Sequence, residues 1–162
     1  MEKFTFFWSG PFSNWHPSPF VVDGITYNCS EQYMMAEKAR MFGDDATLKR
    51  IMSAADPSDQ KRFGRAVQNF DKEKWDAEAR NIVFKGCYAK FKQDEDLKRV
   101  LLDTVGTTLV EASPEDKIWG IGLRKNDPRA QKRETWRGTN WLGEVLTKVR
   151  DELIEEQKNQ KS

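Results

Sequence analysis

The apolar positions of this chain change period near residue 28. Before it, residues 4–8 (FTFFW) and 20–27 (FVVDGITY) are short runs rich in aromatic and β-branched residues, the pattern of strands. Asp23-Gly24 inside the second run puts a two-residue turn between apolar halves, which predicts a hairpin. A loop over residues 9–19 carries Phe12-Ser13-Asn14-Trp15. From Asn28 onward the period is helical. Asn28 or Ser30 is placed to cap that helix, with Glu31 three residues after Asn28 as in a capping box.

Helices are then expected over residues 44–55, 57–67, 71–92 and 94–104, the second with Pro57 in its first turn. In the longest, Trp75, Ala79, Ile82/Val83, Cys87 and Phe91 recur every three or four residues and form one apolar stripe. Residues 108–112 (TLVEA) read as a strand. Residues 113–138 are irregular, and a last helix starts near Asn140 with Leu142, Val145/Leu146, Val149 and Leu153 on one face. The expectation is an α+β fold: a single mostly helical domain over residues 1–154 around a small β-sheet, then a polar tail, 155–162, frayed at its end.

Charge narrows the partners. Lys and Arg number 27 against 26 Asp and Glu, and neither half of the chain is a basic arm, so tight electrostatic binding to duplex nucleic acid is disfavoured. No apolar run is long enough for a membrane span and the N-terminus lacks a signal-peptide layout, so the expected setting is the cytoplasm. Two cysteines make neither a disulfide framework nor a four-cysteine zinc site. The single histidine, His16, sits in a proline-rich turn, which removes multi-histidine metal sites and leaves little room for a histidine triad. No metal and no cofactor is expected. There is no P-loop and no complete dinucleotide fingerprint, since Gly120-Ile121-Gly122 stands alone.

Three segments can carry chemistry. In the helix from Cys29 to Phe42, Glu31, Met34/Met35 and Lys38 share one face, which sets a carboxylate and an amine two turns apart beside methionines. The alternative is a glutamate serving the helix dipole and a lysine reaching solvent from the rim. In Asp116-Lys-Ile-Trp119-Gly120-Ile-Gly122, glycines beside an indole let the backbone approach a planar ligand, or else form an ordinary turn with a core Trp. At Trp136-Arg137-Gly-Thr-Asn140, the start of the last helix can receive a phosphate on free N–H groups, or Asn140 is simply its cap. The adjoining stretch with Arg124, Lys125, Arg129, Lys132, Arg133 and Arg137 has a net charge of +4 and suits a phosphorylated ligand, or is merely solvated.

In order, four blocks resemble one family: Phe12-Ser13-Asn14-Trp15; Ser30-Glu31-Gln32-Tyr33 with Glu37-Lys38-Ala39; Leu109-Val110-Glu111, Asp116 and Trp119-Gly120-Ile121-Gly122; and Trp136-Arg137-Gly138, Asn140 and Leu142-Gly143. They are similar to the NADAR superfamily, the YbiA-like N-glycosidases, over about residues 4–154. The resemblance implies an α+β fold and hydrolysis of a C1′–N bond. The implied substrates are ribosylamino-pyrimidine phosphates of early riboflavin synthesis or ADP-ribose attached to guanine, including guanine in nucleic acid. It makes Glu31 and Lys38 the catalytic pair, with Asp116, Trp119 and Asn14 lining the pocket. With the segments above, the expectation is Glu31, Lys38 and Asp116 as catalytic residues and Asn14, Trp15, Trp119, Gly120, Gly122, Arg137 and Asn140 as substrate-binding ones. Asn14, Glu31, Lys38, Asp116 and Trp119 are expected to converge in one cleft. Two departures stand out: Gln32 where many members carry His, and Met34-Met35 in place of an aromatic.

The chemistry suits these residue types. A carboxylate stabilises the positive charge that develops at C1′. A neutral lysine can exchange into the imine of an opened sugar. Burial beside methionine favours the neutral amine and Glu31 opposes it, a contest that spacing does not decide. The rival function is a module that binds ADP-ribose or an NAD derivative without turnover.

Overall fold

Four helices of this computed structural model, which describes residues 1–160, begin on an aspartate that accepts main-chain N–H groups of the first turn. Asp44 caps α2 (Asp45–Ser53) through Thr47, Asp56 caps α3 (Pro57–Arg65) through Ser58, Asp71 caps α4 (Lys72–Lys92) through Lys74, and Asp94 caps α5 (Glu95–Leu102). A cap of this kind contributes ~1 kcal/mol and fixes where the helix starts. α1 (Ser30–Met41) differs: its cap residue is Cys29, with no side-chain cap bond. The expected capping box is absent, and Gln32 rather than Glu31 reaches back, its Oε1 accepting the Asn28 N–H at 2.8 Å.

The chain divides into two compact units, Asn14–Gln93 and Met1–Ser13 together with the chain from Asp94 onward. In the first, β2 (Phe20–Val22) and β3 (Ile25–Tyr27) form the expected hairpin, Phe20 opposite Tyr27 and Val22 opposite Ile25. Asp23 and Gly24 both take positive φ (51° and 80°), as a two-residue turn matching the strand twist requires. The rings of Phe20, Tyr27 and Tyr33 pack together, Tyr27 edge-on to Tyr33 at 5.0 Å, and join the hairpin to α1. α1 is the buried helix of this unit and packs on α2, α3 and α4. Two glycines let its neighbours close on it: a Cβ at Gly64 of α3 would lie 1.9 Å from Met35 Sδ, and one at Gly86 of α4 would lie 2.5 Å from the Tyr33 ring.

In the second unit β1 (Phe4–Phe7) and β4 (Thr108–Glu111) pair in parallel, Phe4 opposite Thr108 and Phe7 opposite Glu111. The strands therefore form two separate two-stranded sheets rather than the one small sheet expected. α6 (Trp141–Gln160) lays Leu142, Val145, Leu146 and Val149 against β4 and the core. Where a frayed tail is expected, the helix runs on from residue 155 to Gln160, mostly exposed; the last two residues of that tail, 161–162, lie outside the described residues. Between β4 and α6, Val110, Ile121, Leu123 and Ala130 make a small buried cluster covered by Phe4, Phe6 and Trp136. The molecule is α+β, as its sequence pattern implies.

Candidate active site

α1 holds the candidate chemistry of the unit Asn14–Gln93. Glu31 is 4% exposed, and its main-chain N–H donates to the Asn14 carbonyl at 2.9 Å, which ties the loop before the hairpin to the helix start. Asn14 is itself buried, its Oδ1 lying 4.0 Å from the Cys87 thiol. Glu31 stands near the helix N-terminus, where the dipole favours a carboxylate.

Lys38 lies two turns along the same helix and is half-buried. Its Nζ sits 4.5 Å from the centre of the Phe70 ring and 5.8 Å from that of Trp75. Burial pulls the Lys38 amine below its usual value, the Glu31 carboxylate pulls it back up, and Arg65 of α3 pushes it down again. The net direction is down, so burial wins the contest that the sequence left open. An amine in this state is closer to the neutral form that a nucleophile needs.

The neighbours of this pair are structural. Met34 and Met35 are buried, and Met35 is spent on Gly64 of α3. Gln32, one of the two departures from the resemblance, is a joint. Its Nε2 donates to the Ile51 carbonyl at 3.1 Å, at the end of α2, while its Oε1 holds the Asn28 N–H. Burial pushes the Cys29 thiol up, and the Cys87 thiol up to about 11, so neither is an activated nucleophile. Trp15 is largely exposed, with Lys61 Nζ 5.9 Å from its ring.

A buried lysine escaped the sequence reading. Lys90 of α4 is almost wholly enclosed, and burial pushes its amine down to about 8, opposed by Cys87 and Cys29. It stands three residues beyond Cys87 on the apolar stripe of α4, and a lysine on such a stripe is the signal that could have found it.

The candidates of the other unit are bound up in its architecture. Asp116 Oδ1 accepts the N–H groups of Ile118 and Trp119 at 2.9 and 2.8 Å and shapes the turn that carries the Trp. The Trp119 ring meets Trp141 edge-on at 5.5 Å. Gly120 and Gly122 are required by the protein's own chain. A Cβ at Gly120 would lie 2.9 Å from the carbonyls of Asp116 and Glu111, and Gly122 has φ 69°. Asn140 is fully buried, its Oδ1 accepting the Glu111 N–H at 2.9 Å and its Nδ2 donating to the Leu109 carbonyl at 3.0 Å. The N–H groups of Trp141 and Leu142 are taken by the carbonyls of Ile118 and Trp119. The start of α6 thus spends on its own loop the donors that sequence reasoning offered to a phosphate. Within the basic stretch, Arg129 pairs with Asp127, and Arg133 with Glu2 and Glu144. Arg124, Lys125, Lys132 and Arg137 are exposed and make no ion pair among the described residues. No group of three or more His, Cys, Asp or Glu side chains suited to a metal occurs among the described residues, and no helix there is long and apolar enough to cross a membrane.

Comparison with known proteins places this fold. Residues 6–154 match the NADAR domain. The chain is 44% identical to an N-glycosidase of Acanthamoeba polyphaga mimivirus, over 87% of this chain and 86% of that protein. It is 40% identical to the protein irg-1 of Caenorhabditis elegans, over 88% of this chain and 74% of that one. It is 31% identical to the N-glycosidase YbiA of Escherichia coli, over 89% and 81%. The solution structure of E. coli YbiA superposes with a TM-score of 0.79 at 30% identity, covering 97% of this chain and 89% of that one. The chain belongs to the NADAR domain family, and it is an N-glycosidase.

Proposed function

We propose that this N-glycosidase releases the base from a ribosylated amino-pyrimidine phosphate or an ADP-ribosyl guanine, with Lys38 as nucleophile and Glu31 as its acid–base partner. The observation that carries this reading is the Lys38 amine, drawn toward its neutral form by burial on the helix that bears the Glu31 carboxylate. Where the sugar is joined to an exocyclic nitrogen, ring opening leaves an imine at C1′ and a proton on the ring oxygen. The neutral Lys38 amine adds to C1′, and the base departs as a free amine after taking one proton. Water then adds to the lysine imine, the sugar leaves as an aldehyde, and Lys38 is regenerated. Glu31 stabilises positive charge at C1′ and relays the protons.

The unpaired Arg124, Lys125, Lys132 and Arg137 favour a ligand that carries phosphate. Free, buried Cys29 and Cys87 suit a reducing compartment, in keeping with a cytoplasmic enzyme. The test is incubation of the purified protein with each substrate class, chromatography for free base, and borohydride reduction followed by mass spectrometry. Base release with a reduced sugar adduct on Lys38 is expected. Binding without release would instead support a non-catalytic ADP-ribose module, and release without an adduct would limit Lys38 to an electrostatic role.

A further inference from the structure

Phe70 is an unusual residue for its position. It lies in the short connection between α3 and α4, where polar residues are the rule, and its side chain is 44% exposed. Such a ring would ordinarily be loose, but this connection is fixed on both sides. The Gln68 N–H donates at 2.8 Å to Asp44 Oδ2, the carboxylate that also caps α2. Asn69 takes the left-handed conformation with φ 63°, which turns the chain sharply just before the ring. Asp71 follows at once as the cap of α4. Phe42, at the end of α1, meets the Phe70 ring edge-on at 5.4 Å. The fixed ring stands under the Lys38 ammonium at 4.5 Å, closer than Trp75.

We propose that Phe70 is a positioning residue for the reaction: its ring, held by Asp44, Asn69 and Phe42, seats the Lys38 amine in one place and shields it from water. This inference rests on Lys38 being the reacting amine. The ring has two opposed effects on that amine. Its face stabilises the ammonium, while its bulk excludes water and disfavours the ammonium. The charges that act on Lys38 are Glu31 on its own helix and Arg65 from α3; α4 meets it with the Trp75 ring.

Two substitutions separate the ring's effects. Phe70→Leu keeps most of the bulk and removes the π face, and Phe70→Ala removes both. The primary measurement is the NMR titration of the Lys38 side chain in protein labelled with 13C-lysine, assigned by the signal lost in Lys38→Arg. The titration midpoint is expected to fall by several tenths of a pH unit in Phe70→Leu, to rise in Phe70→Ala, and to hold in Phe70→Tyr. The acid limb of kcat/KM should move with it, to lower pH in the Leu variant and to higher pH in the Ala variant, with Tyr restoring the wild-type profile. A midpoint that stays put in Phe70→Leu and Phe70→Tyr alike overturns the proposal, even if Phe70→Ala fails to fold. The titration uses no substrate, so it stands apart from borohydride trapping in the wild type. An intact Phe70 effect without a lysine adduct refutes Lys38 as the nucleophile, whereas an adduct without a Phe70 effect refutes only the seat.

Discussion

The two units of the chain treat their polar residues in opposite ways. In Asn14–Gln93 the structure buries Glu31, half-buries Lys38 and encloses Lys90, and burial pushes the amines of both lysines down. In the other unit the conspicuous polar residues are engaged by the main chain: Asp116 by its own turn and Asn140 by β4. The glycines of Trp119-Gly120-Ile121-Gly122 likewise make room for neighbouring backbone. A motif can therefore identify a family for architectural reasons, while candidates for the reacting groups are better sought where free energy is spent on burying charge.

The largest effect that could break this contrast lies at Lys38. Lys38→Ala is expected to lower kcat by ~10³-fold or more with substrate binding retained, which steady-state kinetics and calorimetry would show. Lys38→Arg should fail equally, because a guanidinium stays charged and forms no imine. Full turnover in the Arg variant would reduce the residue to a fixed positive charge.

In the other unit the largest effects should appear in stability. A Cβ at Gly143 would lie 2.1 Å from the Leu109 carbonyl, so Gly143→Ala should cost about 3 kcal/mol in urea unfolding. Asn140→Ala should cost a similar amount, since it orphans the Glu111 N–H and the Leu109 carbonyl. If either variant unfolds like the wild type, the architectural reading of these positions is wrong.

Lys90 sharpens the comparison through pH. Its amine titrates near 8 in the folded state, against an ordinary value near 10.5 once unfolded. Between these values the unfolded chain binds more protons, so this lysine's contribution to stability rises with pH. The wild type should accordingly gain stability relative to Lys90→Met from about pH 8 to 10.5, measured by denaturant titration at each pH. Parallel curves would show that Lys90 carries no such penalty.

The smallest expected effects divide the basic stretch. Arg137→Ala should raise KM a few-fold with little change in kcat, more so at low salt. Arg133→Ala should leave KM alone and cost under ~1 kcal/mol of stability, because its partners Glu2 and Glu144 are partly exposed. The reverse pattern would move phosphate binding to the paired arginine.

Much of this could be read from the chain. Asp23-Gly24 marked the hairpin, Pro57 marked the first turn of α3, and the stripe from Trp75 to Phe91 marked α4. Each is a local signal, carried by residues a few positions apart. The pairing of Phe4–Phe7 with Thr108–Glu111 was not legible, because nothing local encodes the partner of a strand a hundred residues away. Glu31 and Lys38 could be placed on one face by helical geometry. The direction of the Lys38 shift, the seat formed by Phe70 and the enclosure of Lys90 depend on which elements pack against α1 and α4, and only the folded chain shows that.

Gln32 has a consequence for the acid tolerance of the enzyme. Its carboxamide both accepts and donates, linking Asn28 to the Ile51 carbonyl, and it has no proton to gain in mildly acidic water. A neutral imidazole there could form the same two bonds, but once protonated it would offer two donors and no acceptor, releasing Asn28 as the pH fell through about 6.5. With glutamine the hinge between the start of α1 and the end of α2 is insensitive to acid, so the placement of Glu31 one residue earlier does not drift with the acidity of its surroundings.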